Sequence, residues 1–589
     1  MTPGAGRRSA RAATLVGLAV SFVVAVDLVR SLRPLPLTDP DPLWALPRLL
    51  LGLFVVAASA SAGGLVCALC LLWFRHSLSD LDPAPLPFER AGLLALAAAA
   101  LVAGTFLRFV DLERLPPSLW IDDVSLIAPA LALQGAPADF ADTIRPAPFG
   151  VAKPYGSVGV LYLELYRGAL SVFGVNVFGV RFLSAAAGAL SLLTALLLAR
   201  ELLPPGGGPL AALVLAGMRW SLIVSRWGWN MIALAPVVDL ATLLLLGARR
   251  RRSLAAALAA GAVAGLGAHI YLSAWPAAVG LAAFALWQRR DAERLVGRLG
   301  LAGIFLTGFL LAAAPLFLFR DGRRAPYFAR TRDHNVVLEI RRQRSPMPAL
   351  AAAADALASP WFLSDPAPRN DLPGRRRLGW ILGIPIAFCL ARCLLRPRED
   401  LSALLFAHGA AALATVVAGG QADNPSGSRF AYLTTVTAVA AAAGMLLLIG
   451  SVSGRGRRPA ALLAVGLLAV QGTLGARDAL LDWPERRETF EGFHGQDTLI
   501  GRAAARWEEY GEVSVEPDLG HSDVLISAVF RYRLASLPGP SAAGHATRRR
   551  FRVVAAQTWP ARGERQVERV RDGWGHEWAI VLGRAEARS

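Results

Sequence analysis

"MIALAPVVDLATLLLLGARRRR" occupies residues 231–252: an apolar run interrupted by one carboxylate, Asp239, and closed by four arginines. A helix gains about 1.5 Å per residue, so roughly 18–20 apolar residues cross the hydrocarbon layer of a bilayer. The run reads as a membrane span whose charged end stops at the surface. The pattern repeats, with "QRRDAERLVGR" (288–298) and "GRGRR" (454–458) also lying between apolar stretches. Arginine clusters confined to alternate loops follow the positive-inside rule, which places them in the cytoplasm.

Composition agrees. The chain has 589 residues, of which 54% are hydrophobic, and its mean hydropathy is +0.45. A net charge of +18 would suit a nucleic-acid partner, but its confinement to short clusters between spans argues for membrane topology and no nucleic acid. Candidate spans fall near 12–30, 49–74, 91–110, 178–201, 209–224, 231–247, 254–270, 274–288, 299–318, 378–395, 401–418, 429–450 and 459–475. The predicted fold is therefore an all-α polytopic membrane bundle of about thirteen helices. "GRRSAR" before the first apolar run resembles an export signal, but the absence of a small-residue cleavage site favours an uncleaved first helix.

With the N-terminus inside, alternation puts 111–177, 319–377 and 476–589 on the outer face. Three domains are expected: two additional N-terminal helices (1–90), a membrane core (91–475) with the first two outer loops, and a small α/β or α+β soluble domain (476–589). In the first loop, "VGVLYLELYRGALSVFG" (158–174) contains Glu164 and Arg167, so it is predicted as an interfacial helix rather than a span.

Several chemistries are excluded. No phosphate-cradling glycine loop follows a strand, which argues against a nucleotide-driven pump. "DPD" at 39–41 lies among prolines and reads as a turn rather than a metal-binding D-x-D motif. The cysteines, Cys67, Cys70, Cys389 and Cys393, all fall in predicted spans without histidine neighbours, and read as apolar filler. No metal ligands stand out, so no cofactor is expected, and a divalent metal, though possible, is not indicated. Asp239 alone is thin support for a transporter, the alternative class.

From residue 91 onward the motifs form a recognisable series: "LERLPPSLWIDDVSLIAPALAL", "KPYGSVGVLYLELYRGALSVFGVNVFGVRFLSAAAGAL", "WSLIVSRWGWNMIALAPVVDLATLLLLG" and "AAGAVAGLGAHIYLSAWPAAVGL". These are followed by "YFARTRDHN", "SDPAPRNDLPG" and "NPSGSRFAYLTTVTAV". Their order resembles the polytopic membrane glycosyltransferases that use polyprenyl-phosphate-linked sugars. That superfamily includes protein O-mannosyltransferases, the lipid A aminoarabinose transferase and bacterial galacturonosyltransferase-like proteins. The resemblance covers roughly 90–450 and implies an inverting transfer on the outer face of a bacterial plasma membrane, from a polyprenyl-phosphate donor to a cell-envelope glycan, lipid or secreted protein.

The family carries a catalytic Asp-Glu pair in its first outer loop; here the pair is Asp122-Asp123, one methylene shorter at the second position. Transfer to an alcohol needs a base at the acceptor hydroxyl, and a partly desolvated carboxylate can serve. Successive helical residues diverge by about 100°, so the two cannot address one atom. Asp122 is expected as the base and Asp123 as an orienting group, with exchanged roles or a helix cap as alternatives. The departing lipid phosphate calls for cations. By resemblance these are Lys153, the only lysine in the chain, with Arg226, Arg369 and Arg429. Tyr155, Asn230, His269, Tyr271 and Asn370 are expected to contact substrate, although an interfacial aromatic belt also accounts for Tyr271.

Overall fold

A computed structural model describes residues 82–132, 158–287, 295–318, 336–345, 367–419, 427–452, 454–516 and 549–584 apart from 559 and 562–563, together with 526, 529 and 534. The expected spans at 12–30 and 49–74 lie outside these residues, as do Lys153 and Tyr155.

Five described helices are long and apolar enough to cross a bilayer: Arg90–Phe109, Val177–Leu202, Asn230–Arg251, Arg429–Ser451 and Gly454–Asp482. A bent pair, Trp380–Leu395 with Asp400–Thr415, makes a sixth if counted as one span. The chain is a multi-pass membrane protein; thirteen spans are not accounted for. Helices apolar on all sides sort by burial. Arg429–Ser451, with 89% of its apolar stretch buried, runs through the middle of the bundle, whereas Arg90–Phe109, at 17%, faces outward.

Small residues set how closely the helices approach. A Cβ added at Gly261 would fall 1.9 Å from the Phe305 carbonyl oxygen, and one at Gly308 would fall 2.2 Å from that of Leu258. The helices Leu254–Ala268 and Leu295–Ala313 therefore meet backbone to backbone, the use that membrane helices make of spaced glycines.

The ends follow local chemistry. Asn176 Oδ1 accepts the Gly179 N–H at 2.8 Å and starts Val177–Leu202, as Ser253 starts Leu254–Ala268 by accepting the Ala256 N–H. The arginine run closes the Leu234–Arg251 helix, where positive charge suits the carbonyl end. Arg249 does not stay in solvent: it is buried, 3.4 Å from Asp400 Oδ1, with its guanidinium 4.3 Å from the Phe284 ring centroid.

Two expectations change. The span at 209–224 is two helices, Gly207–Gly217 and Arg219–Val224, broken at Met218. The break places Arg219 among buried carboxylates instead of in the apolar stack. The spans at 378–395 and 401–418 are joined by a bend of 106°. The stretch expected as an interfacial helix is helical over Val160–Phe173, its two charges paired to each other, Arg167 Nη2 to Glu164 Oε2 at 2.7 Å.

The last apolar helix ends in a π-helical turn, Asp478–Asp482. Beyond it lies a small α+β unit: the helix Gly495–Glu508 packs on a four-stranded mixed sheet. Its strands are β1 (Gly511–Val515), β2 (Arg549–Ala555), β3 (Glu564–Arg571) and β4 (Glu577–Arg584), in the order β1-β2-β4-β3. β1 and β2 are parallel and the other pairs antiparallel. Ile500, Ala503, Phe551, Val553, Ala579 and Val581 form the core of this unit.

Candidate active site

The short helix Ile121–Ser125 carries both aspartates in its first turn. Trp120, in extended conformation, precedes it. Asp123 Oδ2 accepts the Trp120 backbone N–H at 3.1 Å, and the Trp120 carbonyl accepts the Asp123 N–H at 3.0 Å. The carboxylate bond is the N3 half of a capping box, so the capping role falls to Asp123. Asp122 Oδ2 accepts the indole Nε1–H of the same tryptophan at 2.9 Å. One residue thus ties down both carboxylates, Asp123 through its backbone N–H and Asp122 through its indole.

Their surroundings differ. Asp123 is fully buried and Asp122 is 8% exposed. Burial pushes the Asp123 carboxyl up to about 6. The neighbouring Asp122 charge adds to the rise, while Arg181 and the Trp120 and Gly228 amides oppose it. The Tyr166 hydroxyl donates to the Asp123 carbonyl at 2.9 Å, and its own ionisation is pushed well up, first by burial and then by Asp123. Arg181 braces the preceding loop by donating to the Leu112 and Ser118 carbonyls at 2.9 and 2.6 Å.

The "SRWGWN" stretch backs this helix. A Cβ on Gly228 would sit 2.7 Å from Val180 Cγ1 and 3.1 Å from Asp123 Cβ, so only glycine lets the loop pass behind the carboxylate. Trp227 and Trp229 stack 5.6 Å apart at an interplanar angle of 5°. Trp229 then meets the Tyr271 ring and Trp227 meets Phe493. This aromatic row joins two groups of residues. Asn230 Nδ2 donates to the Ile270 carbonyl, and His269 Nε2 bonds the Ala312 carbonyl oxygen at 3.0 Å. Asn230, His269 and Tyr271 therefore form one cluster, and the turn Gly427–Leu433, which holds Arg429, packs against Asn230–Ala233.

Arg369 joins the aspartate group, its guanidinium carbon 4.1 Å from the Trp120 ring centroid, with the buried Asn370 beside it. Arg226 is placed elsewhere. It is fully buried and donates to the Leu107 and Val110 carbonyls at 2.9 and 2.5 Å, capping the end of Arg90–Phe109. Among the described residues no three His, Cys, Asp or Glu side chains come together in a group able to hold a metal ion. Asp239, the mid-span carboxylate, accepts the Thr194 hydroxyl at 2.6 Å.

Sequence reading missed the ion-pair cluster that carries the 367–377 segment. Arg219 donates from Nε to Asp371 Oδ1 at 2.7 Å and from Nη1 to Asp478 Oδ2 at 2.9 Å. Arg377 Nε lies 3.4 Å from Asp371 Oδ2, and Arg375 pairs with Asp478. The one available signal was Arg219 itself, a charge inside an otherwise apolar run.

Residues 159–318 match the family described as dolichyl-phosphate-mannose-protein mannosyltransferase. The match covers "SRWGWN", Asn230, His269 and Tyr271 and stops short of the aspartates. Similar solved structures include the Archaeoglobus fulgidus oligosaccharyltransferase in complex with zinc and sulfate, at 18% identity and TM-score 0.47, covering 74% of this chain and 61% of that one. The archaeal oligosaccharyltransferase AglB from the same organism, with an inhibitory peptide and a dolichol-phosphate, is 17% identical at TM-score 0.45, covering 75% and 64%. ArnT from Cupriavidus metallidurans bound to undecaprenyl phosphate is 14% identical at TM-score 0.48, covering 85% and 99%. The chain thus spans about three-fifths of the oligosaccharyltransferase's length. No curated protein matches it in sequence. Over residues 159–318 the chain is thus similar to the dolichyl-phosphate-mannose-protein mannosyltransferase family, one of the group that the order of the sequence motifs resembles.

Proposed function

We propose that the chain is an integral membrane glycosyltransferase that moves a sugar from a polyprenyl-phosphate donor to a cell-envelope acceptor on the outer face, with inversion. The observation that carries this reading is the pair of adjacent carboxylates in unlike surroundings. Asp123, buried and engaged with backbone, suits orienting the helix; Asp122, at the rim with its oxygen on an indole N–H, suits taking the acceptor proton. Lys153 and Arg429 are assigned to the donor phosphate, and Asn230, His269 and Tyr271 to substrate. Arg226, with its donors on backbone carbonyls, is a positioning residue in this reading. The family match and the motif order support the donor class.

The test is mass spectrometry of envelope glycans and lipids from cells with and without the gene. Loss of one sugar mass in the deletion strain, restored by the wild-type chain, is expected. Asp122→Asn at normal protein level should restore about 100-fold less, the scale of lost general-base catalysis. An unchanged glycan profile overturns the reading.

A further inference from the structure

Three segments far apart in the chain meet at Trp120, whose indole N–H holds the proposed base. Its Nε1–H donates to Asp122 and its backbone N–H to Asp123. Arg369, from the second outer loop, places its guanidinium carbon 4.1 Å from the ring centroid. His494, from the segment beyond the last apolar helix, brings its ring centroid to 4.8 Å at an angle of 38°.

His494 is held where it is. Its φ is 50°, in the left-handed region, which a residue with a side chain adopts when its surroundings dictate it. Its Nδ1 lies 3.5 Å from the buried Asp497 Oδ2. The adjacent Phe493 is buried in a cluster with Trp227 and Trp483, to which Trp120 also contributes. The Trp483 indole in turn donates to the Pro368 carbonyl at 2.8 Å, next to Arg369. The post-membrane segment and the second outer loop are thus fastened together around one indole.

We propose that Trp120 is a positioning residue that aims the Asp122 carboxylate, and that Arg369 and His494 clamp its indole; this rests on Asp122 being the base. A carboxylate held by a rigid indole N–H keeps one orientation toward the acceptor. The bond also stabilises its charged form, so removing it raises the pKa of the base. Asp123 on the same helix interacts with Asp122 electrostatically, and Asp123 is in turn faced by Arg181 on Val177–Leu202 and by Tyr162 and Tyr166 on Val160–Phe173. Arg369 faces Asp122 across the indole, with His494 and Asp497 behind.

Membranes from cells expressing the full chain supply native donor and acceptor, and initial rates of product-mass accumulation are read from about pH 4.5 to 8. Trp120→Phe keeps an aromatic ring and removes the N–H. It should slow transfer about tenfold and move the acidic limb of the pH–rate profile up by about one unit. His494→Ala should slow transfer several-fold and move the limb the same way, and His494→Phe, which keeps a ring in place, should recover most of both. If Trp120→Phe does not accumulate, the His494 pair decides. A limb unmoved by Trp120→Phe and His494→Ala, with Asp122→Asn inactive, overturns the clamp alone. Activity in Asp122→Asn, or no wild-type product, overturns the base or transferase reading and the clamp with it.

Discussion

Arg219 Nε and Asp371 Oδ1 lie 2.7 Å apart across 152 residues of sequence, both side chains buried. The pair fixes the segment bearing Arg369 and Asn370 to the break between two helices. Removing one partner of a buried pair leaves the other uncompensated, at about 3–5 kcal/mol. Asp371→Ala, which takes a buried carboxylate from both Arg219 and Arg377, should lower the detergent-solubilised melting temperature sharply. Arg375→Ala, at a half-exposed position, should move it little. Equal melting of Asp371→Ala and wild type would show that the cluster does not hold the loop.

The raised Asp123 carboxyl gives stability a pH dependence. Folded, it titrates near 6, above the ordinary aspartate value of 3.8. The folded state therefore binds more protons between these values, and the stabilising contribution is full below about 4 and lost as pH rises through about 6. Its size is at most about 3 kcal/mol. Melting at pH 4.5 and 7.5 should show this loss in wild type and not in Asp123→Asn, compared as a difference so that other groups cancel. The same difference in both proteins would remove Asp123 as its source.

Topology is open to labelling. Arg342→Cys and Arg571→Cys, at exposed positions, should react with an impermeant thiol reagent in spheroplasts, and Arg251→Cys should not, since arginine clusters stay in the cytoplasm. Reversed labelling would put the aspartates on the cytoplasmic face.

Lys153, the only lysine in the chain, is assigned to the departing phosphate. An ammonium is a point charge where a guanidinium is a planar fork. Lys153→Ala should lower transfer by about 100-fold or more, the scale of a lost electrostatic donor, and Lys153→Arg should recover only part. Full activity of the alanine variant ends the phosphate role.

What the sequence revealed follows the range of the forces involved. Apolar periodicity and arginine placement are local, and they marked most described helices to within a few residues. "FRVVAAQ" (551–557) and "EWAIVLG" (577–583) are short apolar runs of the same local kind, and they fall at β2 and β4. β3, "ERQVERVR", went unread because an edge strand of a small sheet is mostly charged. Asp122 and Asp123 could be singled out from their neighbours and from family likeness. Trp120 could not, because its role depends on Arg369 and His494, brought to it by folding alone. Arg226 shows the converse: an arginine at an outer helix end suggested phosphate, while the fold turns it inward onto carbonyls.

The backbone-to-backbone contact of Leu254–Ala268 has a consequence for the bilayer. At 15 residues that helix rises only about 22 Å, short of the roughly 30 Å hydrocarbon layer. The arginine run precedes the helix, and His269 and Tyr271 stand at its other end. Were it to span alone, thinner lipid alongside would match it, at a modest cost per ångström of mismatch. On the proposed function, a membrane-bound reactant arriving there would meet the cluster at the depth of its own headgroup linkage, without being lifted into water.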